Sequence, residues 1–208
     1  MTTVSVDTAQ GRAEAHLYLA ERPRAALILG HGAGGGVGAG DLVAARDAAL
    51  AEGVTVALVE QPYRVAGRRS PPPVQRLDDA WTAVVEHLRE DVLEGLPLIV
   101  GGRSLGARVA CRTAAATGAV GVLCLAFPLR PPRRGSGSAA SSRLPELDAV
   151  DVPTLVVQGA RDPFGIPPAS PLRTVAEVPG DHSLRADLQA VGAAVSAWLL
   201  ELLAPVGT

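Results

Sequence analysis

The segment at 98–110, L-I-V-G-G-R-S-L-G-A-R-V-A, leaves the chain little choice of fold. An apolar run (Leu98, Ile99, Val100) breaks at two glycines, a serine follows, and a helical pattern takes over after Gly106. A buried strand that turns within a few residues and enters a helix belongs to a sheet covered by helices. Gly102, Ser104 and Gly106 fit G-x-S-x-G, the turn called a nucleophile elbow. The spacing has a physical reason. Ser104 stands at the tip in a strained backbone conformation, and glycines two before and two after it let strand and helix approach closely. The turn lifts the hydroxyl clear of the backbone. It also points the N–H of Leu105, near the positive end of the helix, at an oxyanion developing beside Ser104.

The rest of the chain repeats the strand-then-helix alternation. Residues 14–20 alternate, with Ala15, Leu17 and Leu19 facing one way and Glu14, His16 and Tyr18 the other, as in a half-buried edge strand. His16 reads as ordinary surface. Residues 25–30 are a continuous apolar run, suited to a strand covered on both faces; 54–60, 120–127 and 155–159 read as further buried strands, and 172–178 is a last strand. Asp41 is placed to cap a helix that Gly53 ends. Val74, Leu77, Trp81, Val84, Val85 and Leu88 recur at helical spacing, and a helix from Leu184 carries Leu188, Val191, Val195, Trp198, Leu199 and Leu202 on its inner face. The pattern predicts one α/β domain over 1–208, with a mostly parallel central sheet and helices on both faces. Residues 128–145, rich in Pro, Gly, Ser and Arg, read as a long mobile loop. That connection is too short for a lid domain. Its four arginines form either a solvated loop or an attraction for an acidic substrate.

The loop after the first buried strand, G-H-G-A-G-G-G at 30–36, has three readings. Gly30, Gly32 and Gly35 satisfy G-x-G-x-x-G, and Glu60 ends the next strand where a ribose-binding acid would stand, as in a dinucleotide site. Alternatively H-G-A-G-G is an oxyanion loop, in which the N–H of Ala33 joins that of Leu105 and the glycines keep side chains away from a substrate carbonyl. The third reading is a plain glycine-rich turn. Two residues further along favour the oxyanion loop. Asp162 stands just past the strand at 155–159, and His182 lies in a strand-to-helix loop, so Ser104, Asp162 and His182 follow one another in the order of a nucleophile, its orienting acid and its base. Asp181 rivals Asp162, but a side chain adjacent in sequence points away from the imidazole in most backbone conformations. His31, Tyr63, Arg64 and Arg103 are further candidates for substrate contact. They stand at or beside carboxyl ends of strands, where ligands bind in open α/β sheets. Arg103 has an alternative use, pinning loops through bidentate ion pairs.

H-G-A-G-G at 31–35, G-R-S-L-G at 102–106, Q-G-A-R-D-P-F-G at 158–165 and D-H-S at 181–183 together resemble an α/β-hydrolase. More narrowly, they resemble the small lid-less group related to the dienelactone hydrolases, which also includes the hydrolase-like domain of a subunit of animal histone-acetylating complexes. The resemblance runs from about residue 25 to 202. It implies Ser104 as nucleophile, His182 as base and Asp162 as orienting acid. It leaves open whether the chain is an esterase, a thioesterase or a catalytically silent binding module, because one fold hosts many activities.

Composition excludes other chemistries. All 19 basic residues are arginine, so lysine Schiff bases, lysine bases and Walker lysines are ruled out. The net charge of −2 gives no electrostatic footprint for nucleic acid. Cys111 and Cys124 sit in apolar contexts, as buried thiols of a reducing compartment do. Neither a signal peptide nor a membrane-spanning run is evident, and the expected location is cytoplasmic. The expected ligand is a small-molecule substrate, with no membrane or nucleic-acid partner. The implied chemistry requires no metal and no organic cofactor.

Overall fold

The computed structural model describes residues 1–130 and 141–204. In chain order the elements are β1 (Thr2–Thr8), β2 (Gly11–Tyr18), β3 (Ala25–Gly30), α1 (Gly40–Ala51), β4 (Val54–Glu60), α2 (Pro62–Val65), α3 (Val74–Glu90), β5 (Leu98–Arg103) and α4 (Leu105–Thr117). They continue with β6 (Gly121–Leu125), α5 (Leu144–Asp148), β7 (Thr154–Gly159), β8 (Arg173–Val178) and α6 (Leu188–Leu202). The eight strands form one sheet in the order β1-β2-β4-β3-β5-β6-β7-β8. From β4 to β8 the neighbours are parallel; β1 and β2 are antiparallel additions at one edge. This is the α/β-hydrolase fold. Among the described residues the β6–β7 connection carries only the short helix α5, and no lid domain stands over the sheet.

Each face of the sheet has its own apolar core. On one, Leu77, Trp81, Val84, Val85 and Leu88 of α3 and Val109, Ala110 and Ala114 of α4 pack on Ile28, Val100 and Val122. On the other, Leu42, Ala45 and Ala49 of α1 and Val191, Val195 and Trp198 of α6 cover Leu27, Leu29, Ile99 and Leu123. The central strands are apolar throughout because neighbouring side chains enter opposite cores.

Several boundaries differ from the sequence reading. β1 is unforeseen: it presents only Val6 and the partly buried Val4 to the core, so its alternation is weak. Leu19 falls beyond β2 and is 62% exposed, and Val74 opens α3 at the surface. The last helix starts at Leu188 rather than Leu184, because the Asp187 carboxylate accepts from the N–H of Ala190 at 2.9 Å and caps it there. Asp41 does not cap α1. The capping position is Ala39, and Asp41 sits inside the first turn, 1% exposed. Within the expected loop at 128–145, α5 begins at Leu144, Arg143 donates to the Pro128 carbonyl at 3.0 Å, and 131–140 lie outside the described residues.

Candidate active site

After β3 the chain crosses to β4 on one side, then returns past β3 to β5 on the other. The two connecting helices leave in opposite directions and open a crevice at the carboxyl ends of β3 and β5, the usual ligand position in such sheets. Ser104 stands there, between β5 and α4, with φ 52° and ψ −103°. The flanking glycines are obligatory for packing. A Cβ on Gly102 would lie 2.5 Å from the Gly30 carbonyl oxygen, and one on Gly106 only 2.3 Å from the same atom. Both approaches are backbone to side chain, so the end of β3 fixes the turn that carries Ser104.

Two other loops bring partners to Ser104. His182 Nε2 lies 3.0 Å from Ser104 Oγ, and His182 Nδ1 lies 2.8 Å from Asp162 Oδ2. A carboxylate only accepts, so Nδ1 carries the ring proton and Nε2 is free to accept from the hydroxyl. The carboxylate is itself held from three directions. Oδ2 also accepts from Gln158 Nε2 at 2.8 Å, and Oδ1 accepts from the Phe164 N–H at 2.8 Å. The Phe164 ring lies against the imidazole, with centroids 4.3 Å apart. The loop of His182 is seated by Gly159: a Cβ there would come within 2.3 Å of the Asp181 carbonyl oxygen. Asp181 turns outward and accepts from both the N–H and the hydroxyl of Ser183.

The glycine-rich loop borders the same crevice, since a Cβ on Gly32 would meet Ser104 Cβ at 3.7 Å. Among the described residues, the N–H groups of Ala33 and Leu105 donate to no protein acceptor. His31 holds the loop in place. It is 2% exposed, its Nδ1 donates to the Gly32 carbonyl at 2.8 Å, and its Nε2 accepts from the Gln61 N–H at 3.1 Å. Burial pushes its pKa below the ordinary imidazole value. With both nitrogens occupied, His31 braces the loop rather than facing a ligand. The buried Tyr63 hydroxyl donates to the Ala33 carbonyl at 2.9 Å, and burial pushes its pKa up to about 12. Arg64 turns to the Arg68 carbonyl. A cavity of about 260 Å³ adjoins the crevice, lined by Gly32, Gly35, Gly40, Arg103, Ser183 and Arg185. A larger one of about 490 Å³ lies beyond Tyr63, and neither cavity is lined by Ser104 or His182.

The family model for the alpha/beta hydrolase domain matches residues 23–187. The chain belongs to the alpha/beta hydrolase family. No curated protein sequence matches it. Solved structures of the same fold include XC6422 from Xanthomonas campestris, described as an α/β serine hydrolase without a lid. It is 19% identical over 99% of this chain and 96% of that one, with a TM-score of 0.79. Est1E from Butyrivibrio proteoclasticus, with ferulic acid bound, is 17% identical over 97% of this chain and 100% of that one, with a TM-score of 0.75. Dienelactone hydrolase from Anabaena variabilis is 16% identical over 96% of each chain, with a TM-score of 0.73.

Three residues of this hydrolase escaped the sequence reading. Asp41, read as a helix cap, instead stands 2.9 Å from Arg103 Nε, and its other oxygen accepts from the Leu42 N–H. The guanidinium approaches Asp41 Oδ2 off the hydrogen-bond direction, so that oxygen has a charge beside it but no directed donor. Burial pushes the Asp41 carboxyl above its ordinary pKa, against the opposing pull of Arg103. The other end of Arg103 donates from Nη2 to the His182 carbonyl at 3.0 Å. Arg103 thus ties α1 to the loop that presents the imidazole, while also lining the adjoining cavity. Gln158 was visible as the one polar side chain inside the run L-V-V-Q-G, which is a signal that it has a buried partner. Phe164 gave no signal. Glu60, a possible ribose-binding acid in the dinucleotide reading, pairs across the sheet with Glu14.

Proposed function

We propose that the protein is a serine hydrolase that cleaves an ester or thioester bond of a small molecule. The observation that supports this best is the continuous run of contacts from Ser104 Oγ through His182 to Asp162 Oδ2, at 3.0 and 2.8 Å. In this reading His182 Nε2 takes the hydroxyl proton as Ser104 Oγ attacks the carbonyl carbon. The negative charge that develops on the carbonyl oxygen is received by the N–H groups of Ala33 and Leu105, and each such donor contributes about 100- to 1000-fold in rate. The imidazolium returns its proton to the leaving alcohol or thiol as that bond breaks. Water, deprotonated by the same Nε2, then attacks the acyl-enzyme, releases a carboxylic acid and restores Ser104. Asp162 holds the tautomer and stabilises the imidazolium throughout. Est1E binds ferulic acid, and a carboxylic acid is the product class of this reaction.

Asp162→Asn is expected to lower kcat by about 10⁴-fold. The carboxylate serves three donors, and an amide serves them only in part. Its NH₂ meets either the Phe164 N–H or the Gln158–imidazole pair, and in both settings the charge that steadies the imidazolium is gone. Steady-state kinetics with one activated ester measure the loss.

The open crevice and the small adjoining cavity favour short acyl groups. A panel of p-nitrophenyl esters and acyl thioesters tests the reading: acetyl and butyryl esters are expected to turn over faster than long-chain ones. Fast turnover of long chains alone would overturn the short-acyl assignment, and no hydrolysis across the whole panel would leave a hydrolase-shaped binding module.

A further inference from the structure

We propose that Glu14, His16 and Glu60 form a binding site for a divalent transition-metal ion of the Zn²⁺ class, separate from the crevice of Ser104. The backbone puts the three together. Glu14 and His16 are two apart on β2 and share a face, and the antiparallel register sets Glu60 of β4 directly opposite Glu14. One donor atom from each lies within 4.8 Å of the others, and all three side chains are half-buried.

Two features of this cluster point to a cation. The first is electrostatic. Like charges directly opposite across antiparallel strands repel, and among the described residues no arginine nitrogen lies within ion-pair distance of Glu14 or Glu60. Elsewhere the buried Asp41 and the half-buried Asp78 and Glu146 each stand beside an arginine. The second is the imidazole. His16 Nε2 is sealed from solvent yet has no hydrogen-bond partner; its nearest carboxylate oxygen, on Glu60, is 3.8 Å away. The other nitrogen, Nδ1, is 3.1 Å from the Thr3 hydroxyl of the neighbouring strand β1. A proton on Nδ1, donated to that hydroxyl, leaves the Nε2 lone pair aimed at the two carboxylates. That is how a ligating histidine is oriented by a neighbour behind it.

One imidazole nitrogen and two carboxylate oxygens suit Zn²⁺ and similar ions, with bonds of about 2.0–2.2 Å and remaining positions filled by water. The site also abuts the glycine-rich loop, because a Cβ on Gly36 would lie 3.4 Å from Glu60 Oε1. A bound ion would therefore brace β2 and β4 where they meet the loop that carries Ala33.

Titration of the purified protein with Zn²⁺ by calorimetry, beside melting curves with and without the ion, tests the proposal. One ion per chain and a raised Tm are expected. His16→Ala should abolish uptake, Glu14→Gln and Glu60→Gln should weaken it, and Thr3→Val should weaken it about tenfold. The two Glu→Gln variants keep shape and remove charge, so they remain informative if His16→Ala folds poorly. His182→Ala should retain the ion, which separates this site from the crevice. With Co²⁺, no thiolate charge-transfer band is expected, since both cysteines are buried in the core. Absence of binding would overturn the proposal. So would uptake that survives His16→Ala and both Glu→Gln changes, or uptake that His182→Ala removes.

Discussion

Ser104→Ala is expected to lower kcat for any ester substrate by about 10⁶-fold and to abolish labelling by a fluorophosphonate probe. The change removes one atom and little else. Alanine keeps the Cβ that already sits at φ 52°, so the backbone strain at the turn is neither relieved nor increased. Among the described residues the hydroxyl's only protein partner is His182 Nε2, on a ring that is part-exposed and can turn to water instead. Melting temperature should therefore stay within a few degrees of the parent, and the loss reads directly on chemistry. Some acceleration over water should remain, because the N–H groups of Ala33 and Leu105 are untouched; in comparable sites it is about 10³- to 10⁴-fold. Persistent labelling in the variant would place the nucleophile elsewhere and remove the proposed role of Ser104.

The elements nearest this site were the most legible in the sequence, and the reason is geometric. A turn that tight leaves its mark as glycines at fixed offsets, and a Cβ on either Gly102 or Gly106 would lie within 2.5 Å of backbone. The apolar runs of β3, β4, β5 and β7 were legible because both faces of those strands are covered. Asp162 and His182 could be placed together since each follows the carboxyl end of a strand. Less legible were the residues that support them from a distance. Asp41 on α1 meets Arg103 at the end of β5, and His31 after β3 reaches Gln61 just past β4, so neither pairing has a sequence offset that marks it. The edge hairpin was half read: the alternation of β2 was plain, whereas β1 buries too little to show a pattern, and with it went Thr3 behind His16. His16 itself looked like surface because Glu60, the carboxylate nearest its Nε2, comes from a strand over 40 residues away.

Gly106→Ala should be among the most damaging single methyl additions to this chain. In a helix, alanine is ordinarily favoured over glycine by about 1 kcal/mol. Here the new Cβ would lie 2.3 Å from the Gly30 carbonyl oxygen, 2.6 Å from its carbon and 2.9 Å from the His31 carbonyl oxygen. All three are backbone atoms, so no rotamer change relieves the clash; α4 must move off β3, or the end of β3 must move. Overpacking against adjustable side chains costs about 1–3 kcal/mol, and a rigid backbone contact belongs at or above the top of that range. At about 2–4 °C per kcal/mol for a chain of this size, the melting temperature should fall by roughly 10 °C. Activity should fall further than stability, because the shift opens the crevice between Ser104 and the loop of Ala33. Gly35→Ala is the matched control: a Cβ there meets nothing within 4 Å, and its Tm should stay within about 2 °C of the parent. Equal melting temperatures for the two variants would mean that the contact between β3 and α4 is not what holds the turn of Ser104.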